Sequence, residues 1–316
     1  MTSMKCHRCE ERAAIRMRQH RLALCKDHYI EWFIEQTERA IRKYHMFRRD
    51  ERVLVAVSGG KDSLALWDAL WKLEYPADGL YIHLGIDGDI QYSDASERYA
   101  VEFAEERGLK LHIINVEEMY GEPVPLMARK NRRAREGRYK PCSACGLVKR
   151  HEMNRIARDL GYDVLATAHN LDDEVAILFG NVIQWQTELL ARQSPVLESA
   201  EGFARKVKPF CRFYERETAA YSLLRGIEYI EEECPFAVGS KQLYYKELIN
   251  KIEEDQPGSK LAFYVGFLNA RSRGAFKELP ETQKEAALHP CPECGQPTIN
   301  NGLCAFCRTV KARSDP

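Results

Sequence analysis

The sequence predicts an α/β protein built on a doubly wound parallel sheet, with a small metal-bound ribbon at each terminus. Short apolar runs rich in β-branched residues alternate with segments whose apolar residues recur at helical spacing, which is typical of parallel strands joined by helices. The first run, 52–57, reads Arg-Val-Leu-Val-Ala-Val, as expected for a strand covered on both faces. Seven of the eleven cysteines lie near the two chain ends, where they indicate small metal-dependent units outside the sheet.

The predicted elements follow one another in strand–helix order. Strands are expected at 52–57, 79–86, 109–116, 163–168 and 207–210. Helices are expected at 64–73, 95–107, 147–160, 173–183 and 217–226, and the pattern from 241 to 276 is helical with a break at 256–259. A length of 316 residues suits about two units of ordinary size. We divide the chain into an N-terminal zinc ribbon (1–37), a catalytic domain (38–240), a helical extension (241–285) and a C-terminal zinc ribbon (286–316).

The composition indicates a globular protein without membrane segments. Apolar residues make up 45% and charged residues 30% of the chain, and no apolar stretch approaches the ~18 residues that a spanning helix needs. The N-terminus is rich in charge and does not resemble a signal peptide. We therefore expect a cytoplasmic protein whose clustered cysteines bind metal or do chemistry instead of forming disulfides.

The charge is balanced in total but uneven along the chain. Forty-seven basic and forty-seven acidic residues sum to zero, yet 129–140 holds seven basic residues against one acid. A second basic group is expected on one helix face and comprises Arg39, Arg42, Lys43, Arg48 and Arg49. Such side chains bind RNA phosphates without reading the base sequence. Both segments are therefore candidate RNA-binding surfaces, with solvated charged segments as the alternative.

Two cysteine-rich groups have the spacing of structural zinc sites. A C-x-x-C pair lets one tight turn present two ligands, and a second turn supplies the others. The first group comprises Cys6, Cys9, Cys25 and His28, and the second comprises Cys291, Cys294, Cys304 and Cys307. His7 competes as a ligand in the first group, but His28 has the expected spacing. Four protein ligands close the coordination sphere, so a structural Zn²⁺ is expected at each end; buried small hydrophobes are the alternative.

The segment Ser58-Gly-Gly-Lys-Asp-Ser63 lies where the first strand turns into a helix. Gly59 and Gly60 permit close backbone approach, and the helix start presents unpaired N–H groups that favour an anion. Lys61 adds a mobile positive charge, and the two serines add hydroxyl donors. The spacing is not that of a Walker A loop. The segment therefore predicts a phosphate site, with a plain glycine turn as the alternative.

A polar segment, Thr167-Ala-His-Asn-Leu-Asp-Asp-Glu174, follows a later strand. Ligands of doubly wound sheets collect at the carboxyl ends of the strands, so this segment can face the same nucleotide as the phosphate loop. Asp172 and Asp173 are candidate Mg²⁺ ligands, with Asp173 closer to the helix start. A helix-capping cluster is the alternative.

Three cysteines in the middle of the chain suit a different kind of site. Cys142 and Cys145 lead into a helix, and Cys234 lies about ninety residues further on. Three thiolates suit an iron–sulfur cluster with one free iron or a redox pair with a spare thiol; a third zinc site or an inert buried trio is the alternative. Lys149 stands one helical turn after Cys145, on the same face. Cys211 lies in an apolar run and is interpreted as core packing.

These features together resemble the PP-loop tRNA 2-thiolation family, within which they are nearest to the group that thiolates ribothymidine in the T-loop. Ser58–Ser63 matches the loop of PP-loop ATP pyrophosphatases. The other matching positions are Cys6, Cys9, Cys25 and His28, the flanking segment 51–67, Cys142–Leu147 with Lys149, 169–174, 232–235 and the last four cysteines. Cys25-Lys-Asp-His28 and Asp68 favour the T-loop group over the wobble-uridine group.

The resemblance implies cofactors and roles for individual residues. It implies a [4Fe–4S] cluster on Cys142, Cys145 and Cys234, with Mg²⁺ and ATP nearby and catalytic roles for Lys149 and Asp62. The implied ATP contacts are Val57, Ser58, Gly59, Ser63, Leu84, Ala168 and Asp173. Two positions depart from the family pattern: Ala168 replaces an expected glycine, and Cys211 replaces a usual aromatic residue and could be an extra thiol near the cluster.

The implied reaction has two steps. ATP adenylates the uracil C2 oxygen of 5-methyluridine 54, while Mg²⁺, Lys61 and the loop amides stabilise the departing pyrophosphate, and a sulfide on the free iron then displaces AMP. The implied partners are tRNA, a ubiquitin-like carrier with a C-terminal thiocarboxylate and a second copy of the chain. The alternatives are thiolation of wobble uridine 34, a small-molecule synthetase that cleaves ATP, and a non-enzymatic zinc-ribbon RNA-binding module.

Overall fold

The computed structural model describes residues 4–87, 91–130, 141–200, 202–237, 241–276 and 288–311. The strands are β1 (Ile15–Met17), β2 (Leu22–Leu24), β3 (Val53–Val57), β4 (Ala77–His83), β5 (Leu111–Asn115), β6 (Val164–Ala166), β7 (Val196–Leu197), β8 (Arg205–Val207), β9 (His289–Pro290) and β10 (Pro297–Thr298). The helices are α1 (Lys26–Lys43), α2 (Lys61–Lys72), α3 (Tyr92–Arg107), α4 (Val116–Tyr120), α5 (Val124–Arg129), α6 (Pro141–Asp159), α7 (Leu171–Ile183), α8 (Thr187–Arg192), α9 (Glu215–Arg225), α10 (Lys241–Asp255), α11 (Ser259–Ser272) and α12 (Ala305–Val310).

The central sheet has six strands in the order β5-β4-β3-β6-β8-β7. All neighbouring pairs are parallel except β7 and β8, which are antiparallel. Strand β3 lies next to the point where the order reverses, with β4 on one side and β6 on the other. In an open parallel sheet this is the position at which ligands bind, beyond the carboxyl ends of the strands.

A hydrophobic core covers each face of the sheet. Side chains alternate across a strand, and in β3 Val53 and Val55 join one core while Leu54 joins the other. The first core is shared with α1, α2, α7 and α9, and the second with α5 and α6. Helices therefore pack on both faces, and the predicted α/β fold with a doubly wound, mostly parallel sheet is confirmed.

Each terminus forms a small hairpin unit that packs on the central domain. Strands β1 and β2 pair antiparallel and lead directly into α1, whose Phe33 ring stacks on Tyr221 at 4.1 Å between centroids. Strands β9 and β10 form the second hairpin. There the ring of Phe306 stacks on His151 at 3.6 Å, so the C-terminal ribbon lies against α6.

Most predicted elements are present, with shifted ends. Helix α6 begins at Pro141 instead of 147, which places Cys142 and Cys145 in its first turns. The predicted basic helix face at 39–49 is wrong in extent, because α1 ends at Lys43 and Arg48 and Arg49 lie in the following loop. The helical extension consists of two helices separated at 256–258. Helix α1 runs through residue 37, and the proposed domain limits stay a prediction.

In the described part of the chain, no helix has both the length and the apolar character needed to cross a bilayer. The candidate RNA-binding segment 129–140 falls outside the described residues from 131 onwards. Of its two described residues, Lys130 pairs with Glu122.

Candidate active site

A cavity of about 500 Å³ lies beyond the carboxyl ends of β3, β4 and β6. It brings together parts of all three predicted site segments in one space. The predicted site residues on its wall are Val57, Ser58, Asp62, Ser63, Leu84, Cys142, Cys145, Lys149, Ala168, Asp173 and Cys234. The predicted residues Gly59, Gly60, Lys61 and Asp172 do not line it. A cavity of this size is in the range of small-molecule and nucleotide sites.

The loop between β3 and α2 has a fixed shape that exposes the start of the helix. Ser63 Oγ accepts the Ser58 N–H at 3.0 Å and donates to the Gly60 carbonyl at 3.0 Å. Gly59 has φ +74°, and a Cβ there would lie 2.2 Å from the Ser96 carbonyl oxygen, so no other residue fits. Gly60 is the N-cap and offers no side-chain cap to the first amides of α2. These amides can therefore bind an anion.

Beside the loop, five charged side chains alternate in sign. Lys61 Nζ lies 3.1 Å from Asp62 Oδ2 and 2.8 Å from Glu215 Oε1. Lys246 Nζ lies 3.2 Å from Glu215 Oε2 and 2.7 Å from Asp173 Oδ1. Three carboxylates and two ammonium groups leave a local charge of −1. The network thus connects the phosphate loop, the segment after β6, the start of α9 and the helical extension.

Burial and the charges of the network shift the pKa values of its members in opposite directions. Burial opposes ionisation of Glu215, but Lys246 and Lys61 outweigh it and lower its pKa to about 2. Burial raises the pKa of Asp62 against the opposing effect of Lys61 and the Thr218 hydroxyl. Burial would lower the pKa of Lys246, but Asp173 and Glu215 raise it. Lys246 and Glu215 are therefore charged at neutral pH.

Sequence reasoning missed Glu215 and Lys246. Glu215 opens the helix that follows β8, and a polar residue at a helix start after a parallel strand is a signal that could have identified it. Lys246 lies in the middle of α10 among other charged residues, and no local pattern distinguishes it. Its role depends on where α10 packs, which the sequence pattern does not contain.

The two aspartates of the segment after β6 have different surroundings. Asp173 Oδ2 accepts the Asn170 N–H at 3.2 Å, while Asn170 Oδ1 accepts the Asp173 N–H at 3.1 Å, so the capping arrangement is real. The other oxygen of Asp173 still faces Lys246, and the side chain lines the cavity. Asp172 instead forms a buried ion pair with Lys260 at 2.5 Å and accepts the Glu215 N–H at 3.0 Å. Asp172 thus joins α7 to the start of α9 and to α11.

The three mid-chain cysteines converge on the cavity from two elements. Cys142 and Cys145 come from the start of α6, and Cys234 comes from the loop after α9. The Cys142 thiol donates to the Phe236 carbonyl at 3.0 Å. Burial raises the pKa of Cys145 to about 11, with Lys149 opposing and the other two thiols reinforcing the shift. Lys149 and all three thiols therefore share one wall of the cavity.

The spacing of these thiols differs from that of a single-ion site. In each terminal quartet, all ligand atoms lie within 4.8 Å of one another. Within the described residues, Cys142, Cys145 and Cys234 do not form so tight a group. Three thiols around an open cavity fit a larger group such as an iron–sulfur cluster, which thiolates bind at several metal atoms.

Both terminal quartets have the geometry of structural zinc sites. Sulfur atoms at about 2.3 Å from a tetrahedral Zn²⁺ lie about 3.8 Å apart. The Sγ atoms of Cys9 and Cys25 are 3.8 Å apart, as are those of Cys294 and Cys304. The first quartet is completed by Cys6 and His28, and the second by Cys291 and Cys307. His28, and not His7, belongs to the first group, as predicted.

Three further predicted positions have clear surroundings. Ala168 lines the cavity, so the departure from glycine places a methyl group at its wall. Cys211 is fully buried in the first core and does not line the cavity, as core packing predicts. Asp68 is fully buried and pairs with Arg107 and Arg225, each at 2.9 Å. Asp68 therefore has a structural role, linking α2 to Arg107 of α3 and Arg225 of α9.

Comparison with known proteins gives a consistent result. Residues 33–235 match the PP-loop domain family, and residues 5–30 match the family described as 2-thiouridine synthetase TtuA, N-terminal LIM domain. The chain is 50% identical over 305 residues to the tRNA-5-methyluridine(54) 2-sulfurtransferase of Thermus thermophilus, covering 96% of this chain and 90% of that protein. It is 39% identical to the protein of the same name from Thermotoga maritima, covering 98% and 96%.

A solved structure shares the fold. The U34-tRNA thiolase NcsA from Methanococcus maripaludis, solved with its [4Fe-4S] cluster, superposes with a TM-score of 0.75 at 24% identity. The match covers 98% of this chain and 97% of that one. At this identity the similarity establishes the common architecture, terminal units included.

Proposed function

Because the chain belongs to the tRNA-5-methyluridine(54) 2-sulfurtransferase family, we propose that it replaces the C2 oxygen of 5-methyluridine 54 in tRNA with sulfur, using ATP. This family membership agrees with the resemblance to tRNA 2-thiolation enzymes that the sequence motifs indicated. The observation that carries the proposal is the single cavity in which the phosphate loop, Asp62, Lys149 and three thiols meet. A nucleotide site and a sulfur site must adjoin if one base is to be adenylated and then thiolated in place.

The phosphate end of the cavity suits ATP with Mg²⁺. We assign phosphate binding to the first amides of α2 and to the hydroxyls of Ser58 and Ser63. Lys61, which does not line the cavity, adds positive charge beside Asp62. Asp62 and Asp173 are the carboxylates on the cavity wall, and hard oxygen ligands of this kind suit Mg²⁺. When bound, the ion neutralises charge on the departing pyrophosphate. The C2 oxygen of the base attacks the α-phosphorus, which breaks the bond to pyrophosphate and leaves AMP on the base.

The thiol end of the cavity suits the second step. We assign Cys142, Cys145 and Cys234 as ligands of a [4Fe–4S] cluster, which when bound would hold the sulfur that the donor delivers. Lys149 lies on the same wall, one turn after Cys145. Its ammonium group can stabilise negative charge at C2 as sulfur adds and AMP leaves. The apolar residues of the cavity, among them Leu84 and Ile86, exclude water, which would otherwise hydrolyse the adenylated base.

The remaining assignments concern partners and location. We propose a thiocarboxylated ubiquitin-like carrier as sulfur donor, on the family resemblance, and the cytoplasm as location, since thiolate ligands need a reducing compartment. A homodimer is supported by exposed apolar side chains at the end of α7, in the loop after it and in α8. Ile183, Trp185 and Leu189 are 53%, 72% and 47% exposed, and exposed apolar side chains that cluster mark interaction sites.

Nucleoside analysis tests the substrate directly. The anaerobically purified holoenzyme, ATP and a sulfide source are incubated with unmodified tRNA or with tRNA carrying 5-methyluridine 54, and nucleosides are resolved by mass spectrometry. We expect 2-thioribothymidine from the second substrate and pyrophosphate release that depends on tRNA. Wobble 2-thiouridine without 2-thioribothymidine would support the position-34 alternative. Pyrophosphate release that does not depend on tRNA would support a small-molecule synthetase. The absence of both pyrophosphate release and thiolation would support a non-enzymatic binding module.

A further inference from the structure

A second cavity, of about 170 Å³, lies between the N-terminal ribbon, α1 and the turn before α9. Three basic side chains line it: Arg39 and Lys43 from α1, and Arg212 from the turn. Arg39 and Lys43 are four residues apart and therefore lie on one face of the helix. Trp32 and Phe213 form an apolar part of the wall. We call this space the basic cavity.

The one carboxylate on the described wall of the basic cavity is already engaged. Glu217 Oε1 accepts from Gln19 Nε2 at 2.5 Å and lies 2.9 Å from His20 Nε2. Its Oε2 accepts the Tyr214 N–H at 2.9 Å. Glu217 is also completely buried, and within the described residues its one ion-pair partner is His20 and none of the three basic side chains.

The neighbouring carboxylates of α1 are engaged as well. Glu35 pairs with Arg8 at 3.0 Å, and Glu38 pairs with Arg42 at 2.7 Å. Across the described ranges of the chain, Arg39, Lys43 and Arg212 have no ion pair with a carboxylate. Burial lowers the pKa of Lys43, and the charge of Arg212 lowers it further. Neighbouring like charges disfavour the charged form of each group, and an anion between them offsets this repulsion.

We propose that the basic cavity binds a phosphodiester group of the tRNA, an inference that rests on the proposed function. Arginine guanidinium groups match phosphate oxygens in pairs, and lysine adds a point charge. Water occupies about 30 Å³ per molecule in the liquid. The basic cavity, at about 170 Å³, therefore has room for a phosphate group and some of the water molecules that hydrate it. The flanking Trp32 and Phe213 give the adjoining ribose an apolar surface. The cavity thereby fixes the tRNA on the N-terminal ribbon side of the domain.

Salt-dependent binding tests this assignment with a matched control. The variant Arg39→Gln/Lys43→Gln/Arg212→Gln is compared with Lys251→Gln, which removes an exposed positive charge that does not line the basic cavity. Affinity for the tRNA is measured by fluorescence anisotropy between about 50 and 200 mM KCl. Each lost phosphate contact reduces the slope of log K against log[salt] by about 0.7–0.9. Because the cavity holds one phosphodiester group, we expect the triple variant to lose about 0.7–0.9 in slope and at least about tenfold in affinity, and to raise the KM for tRNA but not for ATP.

The possible outcomes separate this inference from the proposed function. If the triple variant binds tRNA with the affinity and slope of Lys251→Gln, the basic cavity does not hold phosphate. If the wild-type holoenzyme neither binds nor thiolates tRNA, the proposed function itself is wrong. Circular dichroism and zinc content verify folding of each variant. Should the triple variant misfold, the exposed Arg39→Gln alone must still lower the slope, by at most about 0.7–0.9, and an unchanged slope overturns the assignment.

Discussion

The terminal ribbons and the central cavity both present cysteines, but the two regions differ in the number and spacing of the metal ligands that they provide. Each ribbon draws its four ligands from a short segment, 6–28 or 291–307, and holds them within 4.8 Å of one another. The cavity draws three thiols from positions 92 residues apart in the chain (142 to 234) and leaves them around an open space. A closed quartet stabilises structure, whereas an incomplete set beside a substrate site leaves a coordination position for chemistry. Ligand number and access thus separate the structural from the reactive cysteines.

The largest expected effect comes from removing a cavity thiol. Cys145→Ala should lower thiolation by at least about 1,000-fold, because catalytic groups that act as a unit fail together when one is lost. Zinc content should remain at the level set by two intact quartets. Thiolation is measured by nucleoside mass spectrometry and zinc by elemental analysis. Wild-type rates of thiolation in this variant would remove the distinction between the cavity and the ribbons.

A smaller effect is expected from Lys246, which the helical extension contributes to the charged network beside the cavity. Lys246→Met keeps the length of the side chain but removes the charge that pairs with Asp173 and Glu215. Asp173 then faces the ATP phosphates uncompensated, while Glu215 keeps only Lys61 as a partner. The kcat/KM for ATP in pyrophosphate release should therefore fall roughly 10- to 100-fold, about 1.4–2.7 kcal/mol.

Two further variants show whether the charge of Lys246 is responsible. Lys246→Arg should restore part of the activity, since it restores the charge. Lys251→Met removes an exposed lysine from the same helix and should have wild-type kinetics. Equal losses in the Met variants at 246 and 251 would show that α10 acts through its stability and not through this ion pair.

Lys246 also marks the limit of what the sequence could predict. The fold class, both zinc quartets and the convergence of Ser58, Asp173 and Cys145 follow from local patterns and from the rule that parallel strands bring their carboxyl ends together. Glu215 and Lys246 depend on how helices far apart in sequence pack, and no local periodicity contains that information. The start of α6 at Pro141 was missed because Cys-Ser-Ala-Cys-Gly lacks the apolar spacing by which helices are recognised.

Breaking a ribbon should affect stability more than chemistry. Cys304 Sγ lies 3.8 Å from Cys294 Sγ and accepts the Cys307 N–H at 3.4 Å. Cys304→Ala should release one of the two zinc ions, because a three-ligand site loses its closed coordination. Melting temperature should fall, since Phe306 of this ribbon packs on His151 of α6. Thermal unfolding and zinc analysis measure both effects, while pyrophosphate release stays within about threefold.

The ribbon variant has an informative opposite outcome. Loss of thiolation as complete as in Cys145→Ala, in protein that still melts cooperatively, would place the C-terminal quartet in the reaction. Retention of both zinc ions would show that three ligands hold the metal.

The smallest expected effect is at Cys211, which belongs to neither region. Burial raises the pKa of its thiol to about 12, so the thiol stays protonated and inert at neutral pH, whereas Cys142 is exposed. Cys211→Ala removes one buried sulfur atom and should cost about 1 kcal/mol, roughly 2 °C in melting temperature, with thiolation within about twofold of wild type. A folded Cys211→Ala variant without thiolation would instead identify Cys211 as a fourth reactive thiol. That result would show that burial in the core does not keep a cysteine out of the chemistry here.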